Sequence, residues 1–205
     1  MVRELVPEPL EIDCYEGQTY VALVPFRMTG VMRRLLPDLP WVSAFPEVNV
    51  RLYVTYQGVP GVFFLSLDAP NPLAVWAAQH LFHLPYYRAQ IDFAERDGRV
   101  HYSAARANAG PELRIDYAPI GDVYEAANGS LEHWLTERYC LYACSAAGAL
   151  YRCEVHHVPW PLQKAEAHIE HNTLLSVHGF ETSAPPPLLH FARRVDVVMW
   201  SPTRL

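Results

Sequence analysis

The sequence predicts one mainly β domain with a few helices, and three observations carry that prediction. Apolar and polar residues alternate with a period of two over several runs, Gly- and Pro-containing turns separate those runs, and 18 prolines among 205 residues are scattered through the apolar stretches. Scattered prolines break long helices and favour short strands with corners. With 51% hydrophobic and 19% charged residues the chain has ample material for a packed core. No repeat or linker divides it, so residues 1–205 are read as a single domain.

Taken in order, Gly17 marks a turn before a strand over Thr19 to Met28. In Phe45 to Val54 the alternation is strict. Val48, Val50, Leu52 and Val54 fall on one face, and Glu47, Asn49, Arg51 and Tyr53 on the other. The turn Gln57-Gly58-Val59-Pro60-Gly61 returns the chain into a strand over Val62 to Asp68, forming a hairpin. Asn71-Pro72 then starts a helix over Leu73 to His83, which Leu84-Pro85 closes. Strands follow at Ala89 to Glu95 and Arg99 to Ala105, joined at Asp97-Gly98, and at Glu112 to Tyr117. Ser130 is placed to cap a short helical turn from Leu131 to Leu135. Glu137 to Ala143 and Ala149 to His157 make a second hairpin, Gln163 to Asn172 reads as a second helix, and Arg194 to Trp200 as a last strand. This strand count suits a barrel or a sandwich.

Composition removes several function classes. With 22 acidic against 16 basic residues the formal charge is -6, which disfavours nucleic acid as a partner. No run of 18 apolar residues exists, and Met1 to Ile12 has neither a basic head nor an apolar signal core, so no membrane span and a cytoplasmic location are expected. Cys14, Cys140, Cys144 and Cys153 form no C-x-x-C pair and read as thiols. Lys164 is the sole lysine, so amine nucleophiles are almost absent. No G-x-S-x-G, Walker or dinucleotide fingerprint occurs.

Six phrases of the chain resemble one family, that of the uncharacterised DUF2071 (YqjF-like) proteins. They are Leu23-Val24-Pro25-Phe26-Arg27-Met28, Phe45 to Tyr53, Ser66-Leu67-Asp68-Ala69, Leu135 to Tyr142, His157 to Gln163 and Phe191 to Val198. The resemblance covers nearly the whole chain in order. It implies kinship with acetoacetate decarboxylase, and hence a closed, mostly antiparallel β-barrel or cone with two or three outer helices and a central ligand cavity. The decarboxylase uses two adjacent lysines, one forming a Schiff base and the other depressing its pKa. The corresponding stretch here is Phe82 to Ala89, where Tyr86 and Tyr87 stand in place of the amines. A phenol cannot condense with a ketone to an imine, so decarboxylation by that route is disfavoured unless Lys164 supplies the amine. Lys164, among Gln163, Glu166 and Glu170, reads as a solvated residue.

The candidate site is therefore assembled from other groups. Glu47 resembles a carboxylate position of the decarboxylase cavity and is the candidate general acid or base, with Tyr86 and Tyr87 as hydroxyl donors to a carbonyl or oxyanion. Arg27, Asn49, Arg51 and Arg138 are the candidate ligand-binding residues, Arg27 because a guanidinium at a strand end can grip a carboxylate. Each has a plain structural alternative: a Glu47–Arg51 ion pair, core tyrosines, and an Arg138 that pairs with Glu154 or His156 across its hairpin. If the aliphatic face packs on the outer helices, the polar row looks into the barrel. His168 and His171, three apart on the second helix, have a spacing that can hold a metal, but a Glu-rich solvated face is the better reading, and no metal or cofactor is expected. The partner expected is a small carboxylic acid or carbonyl compound, and a second copy of the chain is the alternative. Both a binding module and a lyase- or isomerase-like enzyme acting on a keto acid fit these residues.

Overall fold

A computed structural model describes residues 2–30, 44–107, 110–181 and 184–205. Among them are three helices, α1 (Val2–Leu5), α2 (Pro72–Leu81) and α3 (Leu131–Thr136), none long and apolar enough to cross a membrane. Thirteen strands join into one sheet: β1 (Glu11–Ile12), β2 (Val21–Met28), β3 (Phe45–Tyr56), β4 (Val59–Ala69), β5 (Tyr86–Arg96), β6 (Arg99–Arg106), β7 (Glu112–Tyr124), β8 (Cys140–Cys144), β9 (Leu150–His157), β10 (Leu162–Asn172), β11 (His190–Ala192), β12 (Val197–Met199) and β13 (Thr203–Arg204).

Two hairpins follow directly from turn chemistry. Gln57 and Gly58 have φ of 51° and 76°, and Asp97 and Gly98 have 50° and 75°, so each pair supplies the two positive φ values that a two-residue hairpin of this hand requires. Asn71 caps α2, its Oδ1 accepting from the Leu73 and Ala74 amides at 2.9 and 3.2 Å, and Ser130 caps α3 through the His133 amide.

The organising strand is β4. One edge pairs along its length with β3, whereas the other is shared: Leu67–Ala69 pair in parallel with β5 and Val62–Phe63 in parallel with β8. Two wings leave from that shared edge, β5-β6-β7-β10-β11 and β8-β9-β12. The wings end in three-residue strands, β11 and β12, that pair with β10 and β9 and not with each other. Strand pairing among the described residues does not close, so the expectation of a closed barrel is not met; the antiparallel, mainly β architecture is.

Three clusters form the core. Val48 and Val50 meet Val100, Tyr102, Ala104, Leu113 and Ile115 of the first wing. Leu52 and Val54 meet Val6, Leu10, Cys140, Tyr142 and Leu150, with Val2 and Leu5 of α1 alongside. On the opposite face of β3, Phe45 and Tyr53 share a cluster with Leu67, Leu84, Tyr86, Val75 of α2 and Leu135 of α3. The side taken by the helices is thus a correction. The aliphatic row packs largely on strands, and α2 and α3 cover the side that carries the polar row.

The second correction is β10. Gln163 to Asn172 is a strand, paired with β7 from Leu162↔Tyr124 to Asn172↔Leu113. Its Ala, Glu, Lys and Gln favour a helix, but Lys164, Glu166, His168 and Glu170 are exposed while Ala165, Ala167 and Ile169 turn inward, a period of two. Tertiary pairing overrides the intrinsic preference.

Candidate functional site

The register of β3 sets the site. Glu47, Asn49 and Arg51 lie opposite Phe26, Val24 and Ala22 of β2, and Asn49, Arg51 and Tyr53 opposite Leu67, Phe64 and Val62 of β4, all four on one face of the sheet. Glu47 is 1% exposed and Asn49 4%, so a carboxylate and an amide are buried within one strand. Such groups persist only with partners or in a neutral form.

Tyr86 supplies the partner for Glu47. Its hydroxyl donates to Glu47 Oε2 at 2.7 Å. Leu67↔Tyr86 register puts its side chain on the Glu47 face, and Gln79 of α2 donates its amide to the Tyr86 carbonyl at 2.7 Å, pinning the start of β5 to the helix. Burial pushes the Glu47 carboxyl up to about 7; the Tyr86 bond opposes this, and the Asp68 charge adds to it. Burial, and then the Glu47 charge, hold the Tyr86 phenol well above its usual value. A carboxyl that titrates near neutrality, held by a buried phenol, can give or take a proton.

Tyr87 goes elsewhere. Successive strand residues point to opposite faces, and Tyr87 is exposed, its ring under the Arg106 guanidinium at 3.8 Å. Arg106 in turn grips the buried Asp68 through Nε at 2.5 Å and Nη2 at 2.9 Å.

The candidate arginines separate in the same way. Arg27 is exposed and opposite Pro46, on the face away from Glu47. Arg138 is buried and committed to other groups: Nε donates to the Trp134 carbonyl at 2.6 Å, Nη1 to Asp13 at 2.5 Å, and its cation lies 4.2 Å from the Trp134 ring. Pairing of Arg138 with Glu154 or His156 is corrected, since Glu154 pairs with Arg152. Arg51 remains on the site face. It is paired neither with Glu47 nor with any other carboxylate within 4.0 Å among the described residues; its contacts are the Tyr53 hydroxyl at 3.5 Å and the Tyr53 and Trp160 rings at 5.7 and 6.0 Å.

Two residues near Arg51 had no role in the sequence reading. Among the described residues, Trp160 Nε1 and His190 Nδ1 are buried without a hydrogen-bond partner, as are Arg51 Nε and Asn49 Oδ1. Each unsatisfied buried group costs about 1–3 kcal/mol. The signal for Trp160 was present, in the Pro159-Trp160-Pro161 corner of a family phrase; His190 immediately precedes another. Lys164 is exposed on β10, opposite Ile120. His168 faces Asp116 across the β10–β7 ladder, and His171 bonds Glu112 at 3.1 Å; no group of three or more His, Cys, Asp or Glu side chains suited to a metal forms among the described residues.

Comparison with known proteins adds to this geometry. The pattern of the DUF2071 family, described as an uncharacterized conserved protein, matches residues 1–196. The uncharacterized protein YqjF of Bacillus subtilis is 43% identical over 201 residues, covering 98% of this chain and 83% of that protein. Among solved structures, acetoacetate decarboxylase from Legionella pneumophila aligns over 100% of this chain and 79% of its own, at 11% identity and a TM-score of 0.65. An acetoacetate decarboxylase-like enzyme from Sphingomonas wittichii aligns over 100% and 85%, at 16% identity and 0.57. The enduracididine biosynthesis enzyme MppR complexed with pyruvate aligns over 99% and 80%, at 11% identity and 0.57. The fold is that of acetoacetate decarboxylase.

Proposed function

We propose that this chain, which belongs to the DUF2071 family of uncharacterized conserved proteins, binds a small carbonyl compound or carboxylic acid against Glu47 and Tyr86 and does so without a Schiff base. The 2.7 Å bond between these two residues in a buried setting carries the reading. In it, Phe45, Leu67, Leu84 and Tyr53 are the apolar walls beside the ligand. Fold neighbours support a ligand of this class, MppR having been solved with pyruvate. Imine chemistry is disfavoured because the sole lysine, Lys164, is exposed on β10 and Tyr86 occupies the strand start beside Glu47.

A second reading, acid–base catalysis in the same place, is favoured by one observation: the Glu47 carboxyl titrates near 7, so both of its forms are populated at neutral pH. Ionised Glu47 would take a proton from the carbon next to a ligand carbonyl while the Tyr86 O–H turns from Glu47 to the carbonyl oxygen, giving a hydrogen-bonded enolate and a protonated Glu47. Return of the proton completes an isomerisation or exchange.

One experiment separates these readings. The chain and its Glu47→Gln variant are incubated in D2O with straight-chain oxo acids, binding is followed by thermal shift, and deuterium incorporation next to the carbonyl by NMR. Exchange that vanishes in the variant while binding persists supports catalysis, and binding without exchange in either supports the module. No binding in either overturns both. Borohydride trapping with acetoacetate is expected to leave Lys164 unmodified, and a covalent adduct there would restore the imine route.

A further inference from the structure

Arg51 Nε, Trp160 Nε1, His190 Nδ1 and Asn49 Oδ1 are buried without hydrogen-bond partners among the described residues. Trp160 is 6.0 Å from the Arg51 guanidinium carbon, Asn49 is two residues along on the same strand face, and after burial the Arg51 charge is the largest influence lowering the His190 pKa. Arg51 Nε–H and Trp160 Nε1–H can only donate, and His190 Nδ1 can donate in one tautomer. The surroundings are aromatic. Tyr53 lies 5.7 Å from the guanidinium carbon, the Trp134 ring meets Tyr53 at a tilt at 4.7 Å, and His157 meets Trp160 edge-on at 6.0 Å. No carboxylate is within 4.0 Å of Arg51 among the described residues, although Glu132 acts on His190 from further away.

Unpartnered donors beside one cation, with no carboxylate within 4.0 Å of it among the described residues, are complementary to a small acceptor carrying one negative charge. A single guanidinium and an indole N–H suit a carboxylate, whose two oxygens accept several bonds in a plane. A phosphate, with about two charges, would be under-neutralised here.

We propose that Arg51 and Trp160 form a monocarboxylate subsite. The inference rests on the reading of Glu47 and Tyr86 above only for what lies at the far end of the ligand. Arg51 and Glu47 are four residues apart on one face of β3, roughly 13 Å between Cα positions. A compound held at both ends therefore has its carboxylate and its carbonyl several bonds apart. A 2-oxo acid, with the two groups adjacent, can engage only one end. Asn49, whose Oδ1 lacks a partner, sits between them and can accept from a hydroxyl or amide on the connecting chain.

The test uses four probes of nearly equal size: heptanoate, heptanamide, 6-oxoheptanoate and 2-oxoheptanoate. The indole N–H signal of Trp160, assigned with Trp160→Phe, reports the subsite, and ring-labelled Tyr86 reports the other end. Heptanoate is expected to shift the Trp160 signal saturably, heptanamide to leave it in place, and Arg51→Gln to weaken heptanoate at least tenfold. Should Arg51→Gln fail to fold, Trp160→Phe is expected to weaken heptanoate severalfold instead. Equal responses to heptanoate and heptanamide, or heptanoate binding that leaves Trp160 unmoved, overturn the subsite. A Trp160 response retained in Glu47→Gln supports it independently of Glu47. The chain is also expected to bind 6-oxoheptanoate at least tenfold more tightly than 2-oxoheptanoate, with Tyr86 shifting only for the former. If the two isomers bind alike and Tyr86 stays unmoved while Trp160 shifts, the subsite holds and the Glu47–Tyr86 reading falls.

Discussion

Tyr86 donates its hydroxyl to Glu47 across 2.7 Å, from the start of β5 to β3, two strands that β4 separates in the sheet. The bond is the one favourable influence on an ionised Glu47 against two unfavourable ones, burial and the Asp68 charge. It links the position of α2, through Gln79 and the Tyr86 carbonyl, to the proton affinity of the site.

Glu47 should make the protein less stable as pH rises. The folded state holds the Glu47 proton up to about 7, whereas an exposed glutamate releases it near 4.5, so between these values the folded state binds more protons than the unfolded chain. Stability is fully present below about 4.5 and is lost as pH passes 7. Glu47→Gln keeps an acceptor for Tyr86 and cannot ionise, and is expected to be more stable than the native chain at pH 8, by on the order of 3 kcal/mol, and little different at pH 4. Urea unfolding at the two pH values checks this; an equal effect at both would show that Glu47 does not carry the slope.

Tyr86→Phe removes the bond that lowers the Glu47 pKa and leaves the other two influences in place. The Glu47 carboxyl is then expected to titrate above about 7, a shift that carbon NMR of labelled glutamate would follow directly. A fall in that value would mean that water enters the space left by the hydroxyl and solvates the carboxylate.

How far the sequence discloses this site depends on which physical signal each residue leaves. The strict alternation of Phe45 to Val54 assigns Glu47, Asn49 and Arg51 to one face, because one register satisfies both faces of a buried strand. It does not say what covers that face, and α2 and α3 cover it. Tyr86 and Tyr87 look equivalent in sequence, yet a period of two sends one to Glu47 and the other beneath Arg106. The strand at Lys164 to Glu170 was legible by counting its period, and helix-forming composition masks it. Contacts made by chain segments far apart in sequence leave no local trace. Asp13 with Arg138, Asp68 with Arg106, and Trp160 beside Arg51 are all of this kind.

Arg138 belongs to the scaffold, and its loss should be felt in stability. Its guanidinium is buried, bonded to Asp13 at 2.5 Å and to the Trp134 carbonyl at 2.6 Å. Arg138→Met leaves Asp13 without its cation and is expected to cost about 2–4 kcal/mol in urea unfolding. Asp13→Asn should cost less, because an amide oxygen at this position still accepts from Arg138 Nη1 and the Trp134 carbonyl still accepts from Nε. Arg51→Gln is the contrast: no carboxylate among the described residues depends on Arg51, so it should change unfolding by less than Arg138→Met.

Gly61 sits where the parallel β4–β8 pair brings two strands together, and that closeness sets the last prediction. A Cβ built at Gly61 would lie 2.7 Å from Cys140 Sγ, 2.7 Å from Tyr142 Cε2 and 2.8 Å from the Cys140 carbonyl oxygen. The first two atoms belong to side chains, but Tyr142 is held in place by its hydroxyl bond to the Val59 carbonyl at 2.9 Å, and the third is backbone. Gly61→Ala must therefore spread the strands, at a cost of about 1–3 kcal/mol. Adding Cys140→Ala removes the sulfur and leaves the carbonyl contact, so the double variant is expected to recover only part of the loss. Full recovery in thermal unfolding would show that the sulfur, and not the approach of the two backbones, demands glycine at this position.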